Sequence, residues 1–203
     1  EALPLSSGRP PYEYYDARTN SMLPCPSRPA RLALDRLLIL EKISGIPAWY
    51  RGRFLSDIQH DPQKDLDLMT AIDYAFGMVL GFGSESRERR RGLYLWGGTG
   101  SGKTLVSCAI LNEILRFYRQ PVRYAKISRD ILGKLRASFH PNSESYGEGR
   151  KIEQELAEVP ALVVDDFGVQ KETEWVNSVL YDLIDARYEN NRLTILTSNE
   201  PMD

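Results

Sequence analysis

The segment 97–104 constrains this chain more than any other feature, because it fills every fixed position of the phosphate-binding pattern G-x-x-x-x-G-K-[ST]. Glycines in such a loop let the backbone curl so that successive N–H groups point at a phosphate. The lysine reaches the β- and γ-phosphates, and the final hydroxyl is a ligand for Mg²⁺. We therefore expect a nucleoside triphosphate to be bound by Gly97, Gly98, Thr99, Gly100, Ser101, Gly102, Lys103, Thr104 and Leu105.

The residues around this loop predict an α/β fold. Residues 92–96 form an apolar strand pattern before the loop, and residues 104–118 form a helix pattern after it. The N-terminus of that helix adds its dipole to the binding of an anion. Strand and helix patterns then alternate, which predicts a parallel sheet with helices on both faces. The further strands are predicted at 121–127, 161–165 and 193–197, and the further helices at 128–138, 148–157 and 174–188.

The region before the core has a different character. Residues 1–30 contain prolines at positions 4, 10, 11, 24, 26 and 29, which predicts an extended arm. Helices are predicted over 31–43 and 65–80 from the spacing of their apolar residues. We expect residues 1–43 to be an arm and helix that end an upstream partner-binding region, and residues 44–203 to be the nucleotide-binding core.

Composition narrows the class of protein. The chain has 203 residues, of which 42% are hydrophobic and 27% are charged, as in ordinary globular proteins. Its net charge of −2 means that nucleic acid would have to bind to a local basic patch. Two distant cysteines, Cys25 and Cys108, exclude a zinc ribbon within this chain and argue against a disulfide framework. With no long apolar segment or leader pattern in the sequence, we expect a cytoplasmic location.

Two further motifs complete a candidate site. Asp165 and Asp166 follow four apolar residues, and carboxylates at the carboxyl end of a parallel strand face the same crevice as the phosphate loop. We expect Asp165 to hold Mg²⁺ and Asp166 to act as the general base for the attacking water. The amide of Asn199 ends the last strand and could bind the γ-phosphate or that water, although strand-end caps have the same composition. Lys103, Asp166 and Asn199 are thus the candidate catalytic set.

The sequences GGTGSGKT, LVVDDFG and TILTSN, in this order, resemble the DnaC/IstB branch of the AAA+ ATPases. Members of this branch load the replicative helicase or assist transposases. The resemblance covers roughly residues 44–203 and implies the additional-strand sheet of AAA+ P-loop NTPases, with ATP or ADP and Mg²⁺ as cofactors. It also implies that Asn199 senses the γ-phosphate and that Ile46 and Phe54 lie near the adenine.

The family carries an arginine finger, a second sensor arginine and a helical lid beyond the strand that ends in Asn199. This chain ends at Asp203, so the lid is expected to be absent and ATP turnover to be weak. Arg187 is internal, and we expect it to be a structural residue that pairs with a carboxylate.

The resemblance also suggests a contact with single-stranded DNA. In a related branch, the helices after the second core strand face a channel for DNA, and here they carry Arg129, Lys134 and Arg136. A solvated helix face has the same composition. The basic run at 87–91 is interpreted first as a solvated connection.

Four functions are compatible with these motifs. The leading interpretation is an ATP-switched helicase loader that forms a homo-oligomer with ATP. The second is a transposition helper with a transposase as its partner. The third is a small-molecule kinase, against which the Asp-Asp pair and the Thr-Ser-Asn motif argue. The fourth is a module that holds nucleotide without turnover.

Overall fold

The computed structural model describes residues 12–61, 65–84, 92–143, 146–168 and 173–201. The strands are β1 Glu13–Asp16, β2 Ser21–Pro24, β3 Leu93–Trp96, β4 Val122–Lys126, β5 Ala161–Phe167 and β6 Leu193–Ser198. The α-helices are α1 Arg28–Ile43, α2 Leu66–Gly81, α3 Lys103–Glu113, α4 Lys134–Ser138, α5 Gly149–Glu158 and α6 Glu174–Glu189. Short 3-10 turns lie at Ala48–Tyr50 and Leu55–Asp57, and wider π-type turns lie at Ile114–Tyr118 and Ile127–Gly133.

The main sheet has four strands in the order β3-β6-β5-β4, and every neighbouring pair is parallel. The strand that precedes the phosphate loop, β3, is therefore separated from β5 by the inserted strand β6. This inserted strand is the additional strand that the sequence resemblance implies. The predicted α/β fold with a parallel sheet is confirmed.

Each face of the sheet is covered by its own apolar core, as predicted. Along β5, Ala161 and Val163 face the cluster built around α3, while Leu162 and Val164 face the cluster built around α6. All four side chains are buried, which is why this strand has a continuous apolar run instead of an alternating one. The continuous run was the correct signal for a strand at the centre of the fold.

Two helices are less regular than the sequence predicts. The helix predicted over 104–118 is α only to Glu113, and its last five residues form the π-type turn Ile114–Tyr118. The helix predicted over 128–138 likewise divides into the π-type turn Ile127–Gly133 and the short α4. In the first case the wider turn keeps Ile114 and Leu115 buried in the core, so packing sets the local winding.

The prediction of an extended arm is wrong for the described part of residues 1–30. Strands β1 and β2 pair as an antiparallel hairpin, with Glu13 opposite Pro24 and Asp16 opposite Ser21. The proline at position 24 misled the prediction, because a proline at the end of a strand interrupts no hydrogen bond within the ladder. The hydroxyl of Tyr12 donates to Asp35 at 2.6 Å and ties the hairpin to α1.

Helix α1 begins three residues earlier than predicted, at Arg28, because a proline is well tolerated in the first turn of a helix. Near its other end, Leu37 and Leu40 pack against the core that surrounds α3. The end of α1 is therefore continuous with the nucleotide-binding core. The basic run at 87–91 and the first eleven residues lie outside the described residues.

Within the described ranges, no helix is both long and apolar enough to cross a membrane.

Candidate nucleotide-binding site

The phosphate loop connects β3 to α3 and has the backbone conformation that its glycines permit. Gly100 and Gly102 have φ angles of +83° and +91°, in a region where a side chain would introduce strain. The Nζ atom of Lys103 donates to the carbonyl oxygens of Gly97 and Gly98 at 2.6 and 2.8 Å. The ammonium group therefore lies over the loop itself, where a phosphate oxygen can replace either carbonyl as its acceptor.

Asp165 is held by hydroxyl groups from three different elements. Its side chain is buried, with 1% of the residue exposed. The hydroxyls of Thr104 and Thr197 donate to Oδ1 at 3.1 and 2.5 Å, and the hydroxyl of Tyr124 donates to Oδ2. The pKa of Tyr124 is raised, mainly by burial and next by this bond to the carboxylate. A buried carboxylate with both oxygens satisfied has a fixed orientation.

The pair of Thr104 and Asp165 is suited to Mg²⁺. Both supply hard oxygen atoms, and Mg²⁺ in nucleotide sites is usually held by one or two protein oxygens together with phosphates and water. In the described ranges no cluster of three or more His, Cys, Asp or Glu side chains could hold a metal. Thr104 and Asp165 are the residues of the site that could hold a cation bound together with a nucleotide.

Asp166 lies at a β-bulge. Val164 pairs with Leu196 and Phe167 with Ser198, so two residues of β5 stand opposite one residue of β6. The bulge gives Asp166 a φ of +64°, and its N–H donates to the hydroxyl of Thr197 at 3.1 Å. A positive φ is uncommon for a non-glycine residue, and aspartate is one of the types that adopt it most readily.

The carboxylate of Asp166 forms an ion pair with Lys126, whose Nζ lies 2.8 Å from Oδ2. This contact is the main reason that the pKa of Lys126 is raised. Sequence reasoning missed Lys126, Tyr124 and Thr197 as members of the site. These residues could have been found from the sheet itself, because the last residues of the strands next to β5 must lie beside the two aspartates.

Asn199 follows β6 directly and is exposed. The N–H of Gly97 donates to the carbonyl of Ser198 at 3.3 Å. Asn199, the residue after Ser198, is therefore adjacent in sequence to a residue that is bonded to the first residue of the phosphate loop. The carboxyl ends of β3, β5 and β6 thus bring the loop, the two aspartates and Asn199 to one edge of the sheet.

A cavity of about 140 Å³ lies beside the first turn of α3. Phe54 and Leu105, two of the predicted nucleotide contacts, are in its wall. The structure does not support Ile46 as a contact of the adenine, because this residue is 0% exposed and belongs to the core. A nucleobase therefore has no access to Ile46. The full lining is Trp49, Tyr50, Arg53, Phe54, Asp57, Ile58 and Leu105.

The three candidate DNA-binding cations have different surroundings. Arg129 forms two hydrogen bonds of 2.9 Å with Asp130, which offsets its charge. Arg136 lies 5.3 Å from the ring centroid of Trp175, in a cation–π contact. Lys134 is half-buried.

Arg187 is a structural residue, but the expected carboxylate partner is wrong. Its side chain is fully buried, and each nitrogen donates to a neutral oxygen. Carbonyl groups at the end of α5 and the start of β6 replace the carboxylate, because the backbone there leaves carbonyls to be satisfied. The acceptors are the carbonyls of Leu156, Ala157, Val159 and Leu193 and the hydroxyl of Thr194.

Comparison with known proteins agrees with this geometry. The profile of the family described as "IstB-like ATP binding protein" matches residues 81–203, more than half of the chain. A putative ATP-binding protein of insertion sequence IS1162 from Pseudomonas fluorescens is 35% identical over 152 residues, covering 75% of this chain and 59% of that protein. The replicative helicase loader DnaC of Escherichia coli (strain K12) is 27% identical over 107 residues, covering 53% of this chain and 42% of that protein. The chain thus spans less than two thirds of the length of these relatives.

Solved structures give the same result for the fold. The crystal structure of DnaI has a TM-score of 0.60 and 25% identity, covering 76% of each chain. The DnaC helicase loader has a TM-score of 0.57 and 20% identity, covering 77% of this chain and 82% of that one. With its parallel sheet, inserted strand and complete phosphate loop, the chain belongs to the IstB-like ATP-binding family and has the AAA+ P-loop fold.

Proposed function

We propose that this chain is the ATPase core of a protein that uses ATP binding and hydrolysis to change its hold on the replicative DNA helicase. The observation that carries the proposal is the meeting of four groups at one sheet edge. These groups are the phosphate loop, the buried Asp165, the bulged Asp166 and the exposed Asn199.

The proposed chemistry divides the work among these groups. Lys103 and the N-terminus of α3 bind the phosphates, while Thr104 and Asp165 hold Mg²⁺. Mg²⁺ bound by Thr104 and Asp165 would supply positive charge against the charge that develops on the phosphate oxygens. Asp166 accepts a proton from the attacking water, and Asn199 orients that water or contacts the γ-phosphate.

The ion pair between Lys126 and Asp166 has a consequence for this scheme. The Oδ2 atom of Asp166 lies 2.8 Å from the ammonium group of Lys126, so this oxygen is occupied and does not accept from an attacking water while the pair is formed. Full hydrolytic activity therefore requires the two side chains to separate. Such a requirement suits a protein whose turnover depends on a partner.

Two partners are candidates. A replicative helicase is favoured by the identity to DnaC and by the similarity to DnaI over 76% of both chains. A transposase is the second candidate, since the insertion-sequence relative has the higher identity over the longer stretch. In either case we propose that single-stranded DNA and ATP favour a homo-oligomer of the full-length protein.

Contact with single-stranded DNA is proposed for the segment that holds Arg129, Lys134 and Arg136. Replacing all three by alanine should weaken binding and flatten its salt dependence, because fewer counterions are then released. A triple variant with unchanged affinity and salt slope would show that these cations are only a solvated face.

The experiment that tests the proposed function uses the full-length protein and two candidate partners. We expect the helicase to co-purify with it in the presence of ATP, and single-stranded DNA to raise ATP hydrolysis. Co-purification of a transposase instead would select the second candidate. Transfer of phosphate to a small metabolite would contradict both.

A further inference from the structure

Helix α3 carries two buried polar side chains far from the phosphate loop. Asn112 and Glu113 are each 6% exposed, and they occupy a helix whose other residues from Val106 onward are largely apolar. Buried polar groups carry a desolvation cost unless they are hydrogen-bonded. The partners of these two side chains therefore indicate what the helix is holding.

Both side chains bind the backbone of the segment that lines the cavity beside Leu105. The amide Nδ2 of Asn112 donates to the carbonyl oxygens of Tyr50 and Arg53 at 2.7 and 2.8 Å. The carboxylate Oε1 of Glu113 accepts a hydrogen bond from the N–H of Leu55 at 3.2 Å. The segment is thus attached to α3 at three backbone positions, and two of them, Tyr50 and Arg53, belong to residues in the cavity wall.

We propose that Asn112 is a positioning residue for recognition of the nucleobase, an inference that rests on the proposed ATP site. One end of α3 carries Lys103 and Thr104, which bind the phosphates. The other end carries Asn112, which fixes Tyr50 and Arg53 in the wall of the base cavity. A single helix thereby sets the spacing between the phosphate site and the base site.

This role separates two parts of the affinity. The triphosphate part depends on the loop and on the helix N-terminus, which Asn112 does not touch. The contribution of the nucleobase to the affinity depends on the cavity wall. The position of this wall varies if the carbonyls of Tyr50 and Arg53 lose their hydrogen bonds to Asn112. Loss of the Asn112 amide should therefore weaken binding of a nucleotide and leave binding of a bare triphosphate intact.

The test measures binding of Mg²⁺-ATP and Mg²⁺-tripolyphosphate to the full chain by calorimetry. Asn112→Asp has the same shape but cannot donate to the two carbonyls. We expect its affinity for ATP to fall about 10-fold, as for loss of well-formed buried hydrogen bonds, while its affinity for tripolyphosphate changes less than about 2-fold. Should the added charge prevent folding, Asn112→Leu, which has a similar size and no donor, gives the same comparison without a charge.

Asn190→Asp is the matched control. Asn190 also donates its amide to a backbone carbonyl, that of Ala186 at 2.7 Å, but it is exposed at the end of α6. This variant should bind both ligands as the unchanged chain does. A purely structural role for Asn112 would lower both affinities together.

Two outcomes would overturn the proposal. One is an unchanged ATP affinity in Asn112→Asp, and the other is an equal loss for ATP and tripolyphosphate. If the unchanged chain failed to bind ATP, the proposed function would fail and this inference with it. Binding of ATP by the unchanged chain therefore distinguishes the two failures.

Discussion

The two ends of the central sheet hold their positive charges in opposite ways. At the amino end, the buried Arg187 donates only to neutral oxygens of the protein itself. At the carboxyl end, Lys103 donates to loop carbonyls and Lys126 pairs with Asp166, and both lysines are only partly buried.

The difference shows which charges are structural. Every nitrogen of Arg187 donates to a protein oxygen and is shielded from solvent. Burial lowers its pKa to about 9 because the cation loses its hydration. The partners of Lys103 and Lys126 can be exchanged for a phosphate or for water without exposing the core. A cation with replaceable partners is suited to ligand binding, and one with saturated, buried partners is suited to holding the fold.

The largest expected effect is on stability at the amino end. Arg187→Ala should lower the free energy of unfolding by about 3 to 5 kcal/mol, because it leaves buried carbonyls unsatisfied and opens a cavity. Arg187→Lys should also destabilise, since one ammonium cannot match the planar arrangement of donors. Urea denaturation measures both. A loss below about 1 kcal/mol for Arg187→Ala would remove the contrast between the two ends.

The next largest effect is expected on hydrolysis at the carboxyl end. Asp166→Asn should slow ATP turnover by about 100-fold or more, the usual contribution of a general base. ATP affinity should stay nearly unchanged, because this side chain is assigned to the attacking water. Single-turnover kinetics and equilibrium binding check the two parts. An equal loss of binding would show that the role assigned to Asp166 is wrong.

Lys103→Ala should weaken ATP binding by about 30- to 100-fold, as for loss of charge-assisted hydrogen bonds to phosphate. Its stability without ligand should change little, because its acceptors are loop carbonyls that water can reach. Fluorescence titration with a labelled ATP gives the affinity, and thermal denaturation gives the stability. Strong destabilisation here would make Lys103 a structural cation like Arg187.

The smallest effect concerns Glu113 and pH. Burial raises the pKa of Glu113 more than the hydrogen bond from Leu55 lowers it, so the folded state holds this proton more tightly than the unfolded chain does. Ionisation of Glu113 therefore reduces stability as the pH rises through this range. Glu113→Gln keeps an acceptor for Leu55 and cannot ionise.

The free energy of unfolding of Glu113→Gln, relative to that of the unchanged chain, should thus rise slightly between about pH 4 and pH 7. Urea denaturation at the two pH values tests this expectation. A difference that does not depend on pH would contradict it.

Sequence reasoning located all four strands of the main sheet, because each is a short apolar run next to a recognisable loop. It failed where composition misled it locally and where a residue's surroundings depend on a distant segment. The prolines near Pro24 hid a hairpin, since a proline at a strand end interrupts no ladder bond. Ile46 was assigned to the nucleotide and is instead buried in the core.

The sequence by itself determined which motifs form the candidate site, because the phosphate loop and the two aspartates are short contiguous motifs. Tertiary structure alone decided which residues surround them. Lys126 meets Asp166 across 40 positions of sequence, and Asn112 meets Tyr50 across 62. Such contacts follow from strand order and helix packing, which depend on the whole folded chain and not on any local pattern.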